Sequence, residues 1–216
     1  QGEGGIRPMS LDYLKGLRKI ADEFGVLLIL DEVQCGIGRT AKLFAHEWAG
    51  IEPDVLAAAK ALAGGFPIGA CLAKEAPAAA LTSGSHGSTF GGNPLAMAVA
   101  NAVLDVVLAD GFLDRVDAMA RKLWTRLEEL VAGNPKVFEE FTGAGLMVGL
   151  KCVPENATVV GKFTEGGLLT VAAGNNVVRL VPPLIIEDSH VDEALTIMEK
   201  ACAELAARGE TRGAAG

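Results

Sequence analysis

Two charged residues stand where apolar neighbours should exclude them. Asp31 directly follows Val26-Leu27-Leu28-Ile29-Leu30, a continuous apolar run of the kind that forms a parallel strand covered on both faces. A carboxylate at that strand's carboxyl end sits where open α/β sheets take their ligands, and it costs desolvation unless a cation or donor meets it. A solvated strand end, or a cap on the next turn, would explain it equally well. Lys60 follows Val55-Leu56-Ala57-Ala58-Ala59 and precedes Ala61-Leu62-Ala63. Desolvation among small apolar residues frees an amine as a nucleophile toward a carbonyl. A lysine whose stem reaches from a helix to water is the structural alternative. The flank Gly64-Gly65-Phe66-Pro67-Ile68-Gly69 lets backbone come close to a ligand just beyond the amine. A third segment, Gly87-Ser88-Thr89-Phe90-Gly91-Gly92-Asn93, offers hydroxyls and open amides ahead of a helix start. That suits an anion such as phosphate, although alone it reads as a polar loop. Arg179 shares a strand face with Val177 and Val181, so its guanidinium needs an anionic partner, either a structural ion pair or a ligand.

The elements that must position these residues alternate as in an α/β protein. Leu11, Leu14, Leu17, Ile20 and Phe24 recur at helical spacing, with Ser10 as the cap and Gly25 as the stop. The apolar runs Val26 to Leu30, Val55 to Ala59 and Ile68 to Ala73 predict strands. Asn93-Pro94 opens a helix from Leu95 to about Ala109, apolar nearly all round and therefore expected to be buried in the core or a subunit interface. An amphipathic helix follows over about Phe112 to Val131. Beyond it, strands are expected at Val137–Phe141, Leu146–Cys152 and Val177–Val181, with helices near Val159–Ala173 and from about His190 to Ala206. The last residues, from about 208, carry no apolar period and are expected to fray.

Composition narrows the chemistry. The chain has 216 residues, 50% of them hydrophobic, enough for one good-sized core or two small ones. The 27 acids against 19 bases leave a net charge of −8, which argues against binding to a phosphate backbone or an anionic membrane. No apolar run reaches the length of a membrane span. The 4 cysteines are far apart and the 3 histidines lack metal-ligand spacing, so a reducing compartment, no metal and a cytoplasmic location are expected. The opening Gln-Gly-Glu-Gly-Gly, without methionine, suggests a fragment or processed product of a longer chain. Gly36-Ile37-Gly38-Arg39-Thr40-Ala41 fits a loose dinucleotide pattern, but five residues separate it from the strand where that fingerprint needs an immediate turn.

Taken in order, Asp31-Glu32-Val33-Gln34 with Gly36-Ile37-Gly38-Arg39-Thr40, then Ala59 to Ala70, then His86 to Ala96 resemble the class III pyridoxal-phosphate aminotransferases. Gln1-Gly2-Glu3-Gly4-Gly5 and Val178-Arg179-Leu180-Val181-Pro182-Pro183-Leu184 extend the likeness over the chain up to its tail. The resemblance implies an α/β fold of the fold-type-I class. Residues 1–111 would be the latter part of a large, mainly parallel-sheet domain, and 112–216 a small C-terminal α+β domain. It implies pyridoxal 5'-phosphate, with Asp31, Glu32, Val33, Gln34, Lys60 and Thr89 as the cofactor-binding set. Lys60 would hold the cofactor through its amine and shuttle a proton, and Asp31 would keep the pyridine nitrogen protonated. Val33 would lie on one ring face, with Gln34 near the phenolic oxygen. Thr89 would reach the phosphate across a homodimer interface, with Ser88 facing substrate. Glu3 and Arg179 would pair, and the pair would open for the carboxylate of 2-oxoglutarate or glutamate. The implied reaction is amino transfer between N2-acetylornithine and 2-oxoglutarate in arginine biosynthesis, with ornithine, 4-aminobutyrate or succinyl-diaminopimelate as alternative donors. Cys35, Ala41 and Ala63 depart mildly from the pattern. The family's N-terminal half, with a second phosphate loop, a stacking aromatic and a substrate arginine, is expected before Gln1. A non-catalytic fragment is therefore the rival expectation.

Overall fold

The computed structural model describes residues 1–213, with side chains through Ala207, and its contacts divide them into two compact units. One is Met9–Asp114; the other joins Gln1–Pro8 to the chain from Arg115 onward.

In the Met9–Asp114 unit, helix α1 (Leu11–Phe24) begins where Ser10 Oγ accepts the Tyr13 N–H at 3.2 Å and ends at Gly25, in the left-handed region at φ 62. Arg18 ties this helix to the sheet: its Nη1 donates to Asp54 Oδ2 at 2.8 Å, and the same carboxylate accepts the Leu28 N–H at 2.8 Å. Strands β1 (Ile29–Asp31) and β2 (Val55–Ala59) then run parallel, with Asp31 opposite Ala57. Strand β3 (Gly69–Ala73) adds antiparallel to β2, so the sheet is mixed. The first strand is shorter than its apolar run, and the cover expected on both faces is not supplied by this chain. Val26, Leu27 and Ile29 are exposed, while alternate residues Leu56 and Ala58 pack inward with Ile37, Leu62, Ala100 and Val107. A short helix α2 (Glu75–Ala78) follows.

Helix α3 (Pro94–Val107) starts on Asn93, whose Oδ1 accepts the Ala96 N–H at 2.9 Å. Ala96, Ala100 and Val107 turn inward, whereas Leu95, Met97 and Val106 are exposed, so this chain's own core covers one stripe of the helix.

The second unit holds helix α4 (Phe112–Gly133), which enters it from Arg115, and a four-stranded antiparallel sheet of β4 (Phe138–Ala144), β5 (Met147–Cys152), β6 (Val171–Ala173) and β7 (Val177–Leu180), ordered β4-β5-β7-β6. Phe138, Val148, Leu150, Phe163 and Leu195 fill its core. Helix α5 (Asn156–Glu165) is shorter than the expected Val159–Ala173 helix. Gly166 and Gly167 (φ 95) end it, and Val171–Ala173 extends as β6 instead. Helix α6 is Asp188–Gly213, longer than its apolar period; the fraying expected from about 208 falls outside the described side chains.

The domain division at residue 111 needs one correction. Gln1–Pro8 belongs with the C-terminal unit, because Gly174 N–H donates to Glu3 O at 2.8 Å and Thr142 Oγ1 donates to Ile6 O at 2.8 Å. Among the described residues no single helix is long and apolar enough to cross a membrane.

Candidate active site

Because β1 and β2 are parallel, their carboxyl ends open on the same edge of the sheet, and both anomalous charges stand there. Asp31 is the last residue of β1 and is exposed; its Oδ1 accepts the Val33 N–H at 2.9 Å, so the carboxylate also shapes the turn that follows. Lys60 follows the last residue of β2 and opens a 3-10 turn, Lys60–Ala63, whose Leu62 and Ala63 are buried. The lysine itself is exposed, so the apolar enclosure expected around its amine is not provided by this chain. Its backbone is in the left-handed region at φ 49, an unfavourable conformation for a residue with a Cβ. Gly64 (φ 59) and Gly65 (φ 122) carry the chain away in conformations that favour glycine.

Alternation sends Glu32 to the opposite side from Asp31. It is 3% exposed, and its carboxylate accepts from the Ala45 N–H (2.9 Å), the His46 N–H (2.9 Å) and the Cys35 thiol (3.1 Å), with His46 Nδ1 at 3.1 Å. Its oxygens are occupied within the protein, where they brace the loop leaving Asp31. Val33 and Gln34 are half-buried in this loop. The loop also buries Thr40, whose carbonyl accepts the Trp48 indole N–H at 2.9 Å. Burial pushes the Arg39 guanidinium down to about 10. Neither the His46 contact nor the Arg39 burial had a signal in residue spacing. The alternation of Asp31 and Glu32 was the one available hint of an inward carboxylate.

Ser88 and Thr89 are exposed on the loop before α3, which Asn93 closes by donating from Nδ2 to Phe90 O at 2.8 Å. They share a unit with Asp31 and Lys60.

In the other unit the expected pair is present: Arg179 Nη1 donates to Glu3 Oε1 at 2.7 Å. The arginine side chain is 12% exposed and the glutamate 75%. Arg179 also lines an apolar groove of about 500 Å³ with Leu168, Val171, Val181 and Ile185.

The fold is that of the fold-type-I pyridoxal-phosphate transferases, and an amine and a carboxylate share one carboxyl edge of its sheet. The chain belongs to the class-III aminotransferase family, whose sequence profile matches residues 1–202. Among its curated relatives, the acetylornithine aminotransferase of Mesorhizobium japonicum is 56% identical over 195 residues, covering 90% of this chain and 49% of the relative. That of Brucella melitensis is 54% identical over 205 residues, covering 95% and 51%. The chain thus spans about half the length of the curated relatives it matches. Among solved structures, ornithine δ-aminotransferase of Plasmodium falciparum superposes with a TM-score of 0.89 at 35% identity, covering 95% of this chain and 55% of that one. N-acetylornithine aminotransferase of Stenotrophomonas maltophilia gives 0.86 at 37% identity, with 96% and 55% covered. The donor set fits the family's cofactor: an exposed primary amine for its aldehyde and an acid for its ring nitrogen share an edge, with glycines following the amine.

Proposed function

We propose that this chain carries the lysine and aspartate of a pyridoxal-phosphate-dependent aminotransferase that moves an amino group between N2-acetylornithine and 2-oxoglutarate, in arginine biosynthesis. The observation that carries the reading is the position of Lys60 and Asp31 at the carboxyl ends of neighbouring parallel strands. The names of the relatives at 54% and 56% identity support the choice of donor. The structural neighbours include ornithine aminotransferases, which keeps ornithine as the second candidate donor.

When bound, pyridoxal phosphate supplies an electron sink for negative charge developing on the substrate carbon that bears the amine. The protein's own groups do the rest. Lys60 Nζ would hold the cofactor and, with the substrate amine in its place, would move a proton from the substrate carbon to the cofactor carbon, as general base and then as general acid. Asp31 would keep a proton on the ring nitrogen, the condition for the ring to accept that charge. Val33 would pack on the ring and Gln34 would bond near its phenolic oxygen. Thr89 would hold the phosphate across a homodimer interface, with Ser88 toward substrate. Arg179 receives a substrate carboxylate when Glu3 leaves it. Glu3 is mostly in water and can rotate away cheaply, whereas Arg179 is mostly buried and stays in place. The protein acts in the cytoplasm.

Incubation with pyridoxal phosphate, borohydride reduction and peptide mapping test the assignment, with Lys60→Ala as control. The expected result is a pyridoxyl mass on the Lys60 peptide alone. Label spread over several lysines, or unchanged in Lys60→Ala, refutes it. Comparing acetylornithine with ornithine as donor to the full-length protein then decides the substrate.

A further inference from the structure

Glu3 does not ride on a loose terminus. The Gln1–Pro8 segment closes on itself: Gly5 and Ile6 N–H groups both donate to Gly2 O (3.1 and 3.2 Å), and Arg7 N–H donates to Gln1 O at 2.9 Å. Two bonds fasten this loop to the sheet, Gly174 N–H to Glu3 O and Thr142 Oγ1 to Ile6 O, each 2.8 Å. The third fastening is Ile6 itself, 3% exposed and held at φ 52. A β-branched residue in the left-handed region persists only where its surroundings over-determine it.

What determines it is the bare backbone of Gly149. A Cβ there would lie 2.8 Å from Ile6 Cβ and 2.8 Å from Val177 Cγ1, closer than side chains approach. Gly149 is also the residue that pairs with Arg179 across the β5–β7 ladder. One strand position therefore both receives the loop that carries the glutamate and faces the arginine that the glutamate meets.

We infer that Ile6, seated on Gly149, is the positioning residue that holds Glu3 against Arg179, and so sets how readily the arginine is offered to an incoming carboxylate. The loop is a fixed carrier and only the Glu3 side chain swings. The consequence for substrate choice rests on the reading of Arg179 as carboxylate receptor given above; the anchoring itself does not.

The test uses the full-length protein with Ile6→Gly, which tolerates φ 52 while removing the seated side chain, and Ile6→Val as the conservative replacement. Two readouts are independent of activity: modification of Arg179 by phenylglyoxal, mapped by peptide mass, and hydrogen exchange of the Gly174 amide. Ile6→Gly should raise both rates at least about fivefold through local opening, and Ile6→Val should restore them. Gly149→Ala, whose methyl would lift Ile6 off its seat, should reproduce the acceleration. Unchanged rates in Ile6→Gly, or in a folded Gly149→Ala, overturn the inference. In the full-length enzyme, the ratio of kcat/KM for the 2-oxo acid to that for the amino donor should shift in the same direction as in Glu3→Ala. Faster Arg179 modification with an unchanged ratio leaves the anchor standing and removes the receptor role of Arg179.

Discussion

Replacing Glu32 with alanine removes the acceptor shared by four groups: the Ala45 and His46 amides, the His46 ring and the Cys35 thiol. Two backbone N–H groups left without acceptors cost about 1–3 kcal/mol each when buried. Both residues are half-buried, so water recovers part of that, and the expected loss is about 3 kcal/mol. Glu32→Gln keeps one carbonyl oxygen but turns an amide donor toward donors, so roughly half the loss is expected there. Urea unfolding followed by Trp48 emission in a Trp124→Phe background measures this locally, because the Trp48 indole is bonded to Thr40 in the same loop. With a slope of about 2 kcal/mol per molar urea, the midpoint should fall by about 1.5 M. A fall of less than about 0.3 M for Glu32→Ala, or an equal fall for Glu32→Gln, refutes the view of this carboxylate as the brace of the loop behind Asp31.

Gly143 stands at φ 152, and a Cβ there would lie 2.2 Å from Met147 O, so Gly143→Ala should cost about 3 kcal/mol or more by forcing the β4–β5 turn apart. Thermal melting followed by Trp124, whose indole donates to Gly145 O at 2.8 Å, reads that turn directly; an unchanged Tm contradicts the argument. Burial first, and for Cys35 the Glu32 carboxylate second, pushes the thiols of Cys35 and Cys202 up to about 12; burial pushes Cys152 up to about 11. Raised above their ordinary 9.0, these groups favour the fold while neutral, so their contribution is complete below pH 9 and is lost as pH rises toward 11–12. Alkylation at pH 8, mapped by mass, should therefore mark exposed Cys71 before the other three, and equal labelling of all four contradicts it.

Signals contained in a few adjacent residues read well. Ser10 and Gly25 bounded α1, and Asn93-Pro94 opened α3, because a cap needs only its own turn. The Glu3–Arg179 contact was foreseen through the family resemblance, since its partners lie at opposite ends of the chain. What failed depended on distant partners. The run Val26 to Leu30 shows that those side chains suit an apolar cover, not that this chain supplies it. Leu168 and Leu169 continued the helical period past Gly166-Gly167, where the backbone in fact leaves the helix. The resemblance implies Glu32 only as a cofactor-side residue; alternation with Asp31 carried a hint of its inward turn, but nothing pointed to His46 as its partner, because loop closure rather than spacing brings them together.

The left-handed backbone at Lys60 sets durability against chemistry. Such a conformation costs a residue with a side chain about 1–2 kcal/mol, and glycine there would be free of it. A screen of this chain for thermal resistance alone would thus favour glycine at that position, and its winners would be hardier proteins with no amine at the sheet edge.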